Sequence, residues 1–238
     1  MEHTNKSLGQ DLDEIRSSFL RMGGIVESMI QDAVIILNTG DLSLVDKVKE
    51  REKEVNQLEI DIDSTIARVL ALQQPTAIDL RLLLSVSKML TDLERSADEA
   101  DKISKTARRM FESNSQYETI IELDHMGVNV AKMLQNVLDA FARYDAIAAA
   151  EVVRSDKKID KEWKGVLRSA SSFMIEDPRL ISSCIDLMFI ARSLERIGDH
   201  SKNMAERVIY LVQGEDVRHT GVKNAESVAR NEGPATLE

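Results

Sequence analysis

The sequence predicts an all-α fold, two tandem three-helix bundles related by internal duplication, from three observations. Apolar residues recur every three or four positions through long stretches, which is the spacing of one helix face. Only three prolines interrupt the 238 residues, and Pro75 and Pro178 leave about a hundred residues between them without such a helix breaker. A pattern that begins at Met22-Gly23 returns at Met126-Gly127. Aromatic residues make up only 4%, too few for the packed faces of a sandwich or barrel, so an all-β fold is excluded.

The first helix is expected over residues 11–37, where Leu12, Ile15, Phe19, Met22, Val26, Met29 and Ile30 form one stripe before Asn38, Thr39 and Gly40 stop it. A second, over 42–72, carries Val45, Val48, Val55, Leu58, Ile62, Ile66, Val69 and Leu72 on one face and closes at Gln73-Gln74-Pro75. Thr76 followed three residues later by Asp79 resembles a capping box, which starts a third helix running to about 111. Three more follow over 121–144, 146–174 and 178–213, the last with Asp177 as N-cap, Pro178 at its first position and Gly214 as its stop. Helices of about 27 to 35 residues are roughly 40 to 50 Å long, the proportions of bundle helices. Residues 215–238 form a polar tail expected to be disordered, with no apolar period after Gly221.

The repeat has a fixed register. An offset of 104 places Val26 on Val130, Met29 on Met133, Val48 on Val152, Glu52 on Asp156, Val55 on Ile159 and Asn56 on Asp160. In the third helix of each half the offset is 101, so that Leu93-Glu94-Arg95 falls on Leu194-Glu195-Arg196 and Asp98 on Asp199. The units are therefore read as residues 1–113 and 118–214, joined around Ser113 to Tyr117, in a pseudo-twofold arrangement.

Asp and Glu outnumber Lys and Arg to give a net charge of −10, which repels a phosphate backbone and argues against direct nucleic-acid binding. Cys184 is the one cysteine, so no intrachain disulfide forms. The polar start of the chain carries no apolar signal core, and a reduced, cytoplasmic protein is expected. No apolar run approaches the roughly 20 residues of a membrane span, leaving only peripheral membrane association through partners.

Acidic residues are arranged in rows. Glu94 and Asp98 lie one helical turn apart with Asp101 beyond them, and Glu195 and Asp199 repeat the pair. Glu52, Asn56 and Glu59, and Asp156 with Asp160, form rows in the preceding helices. Stacked carboxylates repel one another, and a cation relieves that repulsion, so these rows are candidate metal platforms; the alternative is a solvated acidic face. Oxygen-only donors suit Mg, Mn, Ca or iron, and the four histidines form no zinc pattern. Glu122 to His125 is the one Glu-x-x-His motif, where a ferritin-like di-iron site needs two. Cys184 in an apolar stretch reads as a small core residue, Trp163 as packing, and Gly23-Gly24 as a site of close helix approach. No catalytic constellation or organic-cofactor motif emerges.

The stretch Leu194-Glu195-Arg196-Ile197-Gly198-Asp199-His200, its partner Leu93-Glu94-Arg95-Ser96-Ala97-Asp98, and Gln74-Pro75-Thr76-Ala77 with Asp79-Leu80-Arg81 resemble the PhoU family, regulators attached to the bacterial phosphate-specific transport system. Asp139-Ala140-Phe141-Ala142-Arg143, Asp156-Lys157-Lys158-Ile159-Asp160 and Gly214-Glu215-Asp216-Val217-Arg218-His219 are similar too. The resemblance runs from about Asp11 to His219. It implies a homodimer or higher oligomer with a regulatory and not a catalytic activity, one that represses the phosphate-starvation response and modulates phosphate uptake. The implied mode is that of an adaptor between the phosphate ABC transporter ATPase subunit and the sensor histidine kinase of a two-component system. It also implies Mg, Mn, Fe or Zn ions on the acidic pairs, here Glu94 and Asp98, and Glu195 and Asp199, with Asp156 and Asp160 beside them. The first copy departs from the motif at Ser96-Ala97, and Asn56 stands where the second half has Asp160, so asymmetric metal content is expected. The alternative function is a metal-binding or storage bundle without a signalling role.

Overall fold

The computed structural model describes residues 6–113 and 121–231, and among these the structure is helical with no strand. The helices are α1 Lys6–Thr39, α2 Ser43–Gln73, α3 Ala77–Glu112, α4 Ile121–Arg143, α5 Ala146–Glu176, α6 Ile181–Gln213 and α7 Val222–Ala229. Helices α1 to α3 pack as one three-helix bundle and α4 to α6 as another. The predicted stripes face inward, with Phe19, Met22, Met29, Leu83, Leu93, Phe141 and Leu194 among the fully buried side chains, except that on α2 Leu58 is only partly buried and Leu72, in the last turn, is exposed. The residues that should join the halves lie, from 114 on, outside the described residues. None of the described helices is long and apolar enough to cross a membrane.

Two antiparallel seams join the bundles, and the duplication predicts the partners in each. In the α1–α4 seam, Gly23 abuts Leu138 and Gly127 abuts Val34; moving either pair along the chain by the repeat offset of 104 yields the other. Phe19 and Phe141 meet edge-to-face in the same seam, ring centroids 4.8 Å apart. In the α3–α6 seam, His200 Nδ1 lies 2.9 Å from Asp92 Oδ1, and the hydroxyl of Ser193 lies beside Glu99 and helps to lower its carboxyl pKa. These two pairs also interconvert, at the α3–α6 offset of 101. The repeat is thus built into the contacts as well as the helix order. Of the Gly23-Gly24 pair only Gly23 provides close approach, since Gly24 faces open space.

Three local expectations need correction. The tail from residue 215 is structured through the described part: Val217 is buried, and α7 packs Ala225, Val228 and Ala229 onto α5 and α6. Arg154 holds this helix by an ion pair of 2.6 Å to Glu226, and Gln213 donates to the Ala229 carbonyl. Second, Pro178 opens a 3-10 turn, Pro178–Leu180, before α6 begins. Asp177 caps that turn by accepting the Arg179 amide at 3.0 Å. Third, Thr76 precedes α3 in extended backbone, but its side chain makes no capping hydrogen bond. Gly214 ends α6 as expected, left-handed at φ 78° with its amide bonded to the Tyr210 carbonyl.

Candidate functional site: two acidic clusters and a basic groove

The paired rows assemble across helices because α2 lies on α3 and α5 on α6 in register. In the first half, Glu94 and Asp98 on α3 stand near Glu52 and Glu59 on α2. Burial first, then the negative charges of Asp98, Glu59 and Glu52, push the Glu94 carboxyl above its ordinary range. In the second half, Asp156 and Asp160 on α5 stand near Glu195 and Asp199 on α6. Glu195 is pushed up by burial and then by Asp199 and Asp160; Asp199 is pushed up by burial and then by Asp156 and Asp160. Asp156 and Glu195 are buried, while Glu94, Asp98, Asp160 and Asp199 are half-buried. The structure therefore brings the six sequence-predicted residues into two separate clusters, one per half.

Each cluster carries one lysine from a turn further along. Lys202 donates to Asp156 at 2.6 Å, and Lys105 pairs with Asp101 while feeling Glu52 and Asp98. The repeat shows a charge exchange here, because Asp101 and Lys105 of α3 correspond to Lys202 and Glu206 of α6. Arg192 takes one oxygen of Glu195 at 2.6 Å. The other, Oε2, is buried without a hydrogen-bond partner, as is Asn56 Oδ1 in the first cluster. Desolvated carboxylates and orphaned oxygen acceptors are a donor set that fits a hard cation. As they stand, no three His, Cys, Asp or Glu side chains among the described residues form a ready ligand set.

Between the clusters runs a groove of about 400 Å³ over the α3–α6 seam, lined by Arg95, Lys102, Arg192 and Arg196 together with Asp98, Glu99, Asp199 and His200. The face is therefore acidic, basic and acidic in turn. Glu99 is its buried anchor: Lys102 donates at 2.9 Å and Arg196 at 3.1 Å across the seam. Burial works against its charge, but Ser193, Lys102 and Arg196 outweigh burial and hold its carboxyl below the usual range. These basic residues are absent from the sequence-derived site. Arg95 and Arg196 were marked by the duplicated Leu-Glu-Arg, whereas Glu99, Lys102 and Arg192 have no duplicated counterpart to flag them.

Other candidates resolve simply. Cys184 is buried, and burial raises its thiol pKa. Trp163 packs partly buried against the core. His125 is exposed on α4, so it does not point into a bundle interior as a di-iron ligand would.

Comparison with known proteins follows the same two halves. The PhoU domain model matches residues 19–107 and again 123–208. The phosphate-specific transport system accessory protein PhoU homolog of Pseudomonas aeruginosa is 45% identical over 97% of this chain and 96% of its own length. The phosphate-specific transport system accessory protein PhoU of Escherichia coli is 41% identical over 92% of this chain and 91% of its own. The crystal structure of PhoU from P. aeruginosa superposes with a TM-score of 0.84 over 87% of this chain and 99% of that one, at 45% identity. The phosphate transport system regulatory protein PhoU from Streptococcus pneumoniae gives 0.81 over 88% and 99%, at 28% identity.

Proposed function

The chain belongs to the PhoU family, and from that premise we propose that it is a non-catalytic cytoplasmic regulator that restrains the phosphate-starvation response and modulates phosphate uptake. The observation that carries this reading is likeness over nearly the whole chain to accessory proteins of phosphate-specific transport. In this role it bridges the ATPase subunit of the phosphate transporter and a sensor histidine kinase, as a homodimer or higher oligomer. Duplication supplies two similar faces in one chain, a suitable form for engaging two partners at once. Ile181, Ile185 and Phe189, one turn apart on α6, are exposed apolar side chains of the kind a partner would cover. Glu94 and Asp98 in one half, and Glu195, Asp199, Asp156 and Asp160 in the other, would hold divalent or iron ions. A bound ion would supply the positive charge that ties α2 to α3 and α5 to α6.

An adaptor transmits a signal only if its affinity differs between partner states, since equal affinity shifts no equilibrium. The test is co-purification of the full chain with the transporter ATPase subunit and the kinase from cells grown with abundant or scarce phosphate. Retention of both partners, with at least one changing between conditions, is expected. Retention that ignores both phosphate supply and the transporter's state would contradict the reading.

A further inference from the structure

We infer that the end of the molecule where α1, α3, α4 and α6 meet is a binding site for a small amphipathic organic anion. Such a ligand presents a phosphate or carboxylate to two arginines and an apolar or aromatic body to the apolar part of the lining. A cavity of about 430 Å³ opens there, within the range of roughly 300 to 1,000 Å³ usual for small-molecule sites. It lies about 20 Å along α3 from the acidic cluster at Glu94, by helix rise, and is independent of the adaptor reading.

The cavity is lined by Arg16 from α1 and Arg81 from α3 together with the apolar side chains of Leu12, Leu82, Leu211 and Val212. Arg16 donates to the Ala142 carbonyl, and its guanidinium lies over the Tyr144 ring, 5.0 Å from the centroid. The Nε of Arg16 and the Nε of Arg81 are both buried without a hydrogen-bond partner. These two nitrogens are closed to solvent and so to a ligand in the cavity, but the Arg16 and Arg81 side chains both line it, and two guanidinium groups at one cavity suit a shared acceptor. Anionic oxygens bind guanidinium most strongly. Asp13 and Asp79 share the lining, so a ligand with hydroxyl or amino groups of its own fits better than a bare anion. Gly214 makes room for this arrangement, because a Cβ there would stand 2.0 Å from Arg81 Nη1.

The duplication adds an independent observation. Tyr144, which lines the cavity, has φ 53°, a left-handed backbone that L side chains rarely adopt. Its equivalent in the first half, 104 residues earlier, is Gly40 at φ 71°. The fold requires a left-handed residue at this helix end, and the first half meets the requirement with the residue suited to it. The second half retains a strained tyrosine whose ring faces Arg16 and the cavity, and a retained backbone outlier is a pointer to function.

The test is isothermal titration of the full-length protein with adenosine monophosphate and with N-acetyltryptophan, which separate a phosphate head from a carboxylate head. At least one is expected to bind one-to-one with a Kd of about 1 mM or tighter. Neutral adenosine should bind at least about tenfold more weakly than adenosine monophosphate if phosphate is the head, and Arg81→Met and Arg16→Met should each weaken the bound anion by a similar factor. Tyr144→Gly should weaken binding while raising the melting temperature, a combination that a merely structural tyrosine would not give. Absence of binding by both anions, or binding unchanged in Arg16→Met, Arg81→Met and Tyr144→Gly, overturns the assignment.

Discussion

Substituting Gly127 by alanine tests the seam on which the two-bundle arrangement depends. A Cβ at Gly127 would stand 2.8 Å from Val34 Cγ2 and 3.3 Å from Cγ1, whereas carbon atoms settle at about 3.5 to 4.0 Å. Valine in a helix has essentially one χ1 rotamer, so relief requires α1 and α4 to move apart. Overpacking of this kind costs about 1 to 3 kcal/mol, and the gain in helix propensity from Gly to Ala offsets up to about 1 kcal/mol. The net expectation is a loss of about 1 to 2 kcal/mol, or a fall in Tm of roughly 2 to 8 °C for a chain of this size. Gly23→Ala should be milder, because the atoms it meets at 2.5 and 2.8 Å are the Cδ methyls at the flexible end of Leu138. The assay is urea unfolding of Gly127→Ala, Val34→Ala and the double variant. A coupling energy of at least about 0.5 kcal/mol that favours the double variant is expected. A stabilised Gly127→Ala, or purely additive effects, would refute the seam geometry.

Three further outcomes follow from the charged face and the helix ends. Glu99→Gln should destabilise by about 1 to 2 kcal/mol, discounted because Lys102 and Arg196 are half-exposed. The folded Glu99 carboxyl is held below its usual range, so its contribution is full above pH 4.5 and is lost as pH falls through the folded value; melting temperatures from pH 7 to 3 should converge for wild type and variant. Asp199→Asn should act in the opposite sense in chelator: the folded pKa of Asp199 is raised above 3.8, so its charge opposes folding increasingly as pH rises through and past that value. The amide should stabilise the protein at neutral pH by up to about 1 kcal/mol, and added Mg or Mn should raise the melting temperature of wild type more than that of the variant. Gly214→Ala should cost at least about 1 to 2 kcal/mol, because alanine there must adopt φ 78° and its Cβ would displace the Arg81 guanidinium, and calorimetry would show it as a lower Tm.

Much of the fold is legible from the chain because long apolar stripes at helical spacing leave one way to bury themselves. The duplication extends that legibility to the seams: given its offset, the Gly23–Leu138 contact implies the Gly127–Val34 contact. Helix α7 escapes the same reading because its inward positions are largely alanines, Ala225 and Ala229, which mark no strong stripe until α5 and α6 are there to cover them. The acidic clusters are half legible. Spacing of four places Glu94 by Asp98 and Glu195 by Asp199, but that α2 and α5 contribute in register is a tertiary fact. The basic groove and the cavity at Arg16 and Arg81 depend on which helix faces which, and no spacing within one helix encodes them. Tyr144 hides its left-handed backbone because a tyrosine, unlike Gly40, does not announce one.

Regulation of the phosphate response can be read from a phosphate-starvation reporter, such as secreted alkaline phosphatase, in a deletion strain grown with abundant phosphate. High reporter activity is expected in the deletion, with repression restored by the wild-type chain. Complementation by a chain with Glu94, Asp98, Glu195 and Asp199 all replaced by alanine then reports whether the acidic clusters take part. A reporter that stays silent in the deletion would rule out the regulatory role and leave metal handling as the work of this bundle.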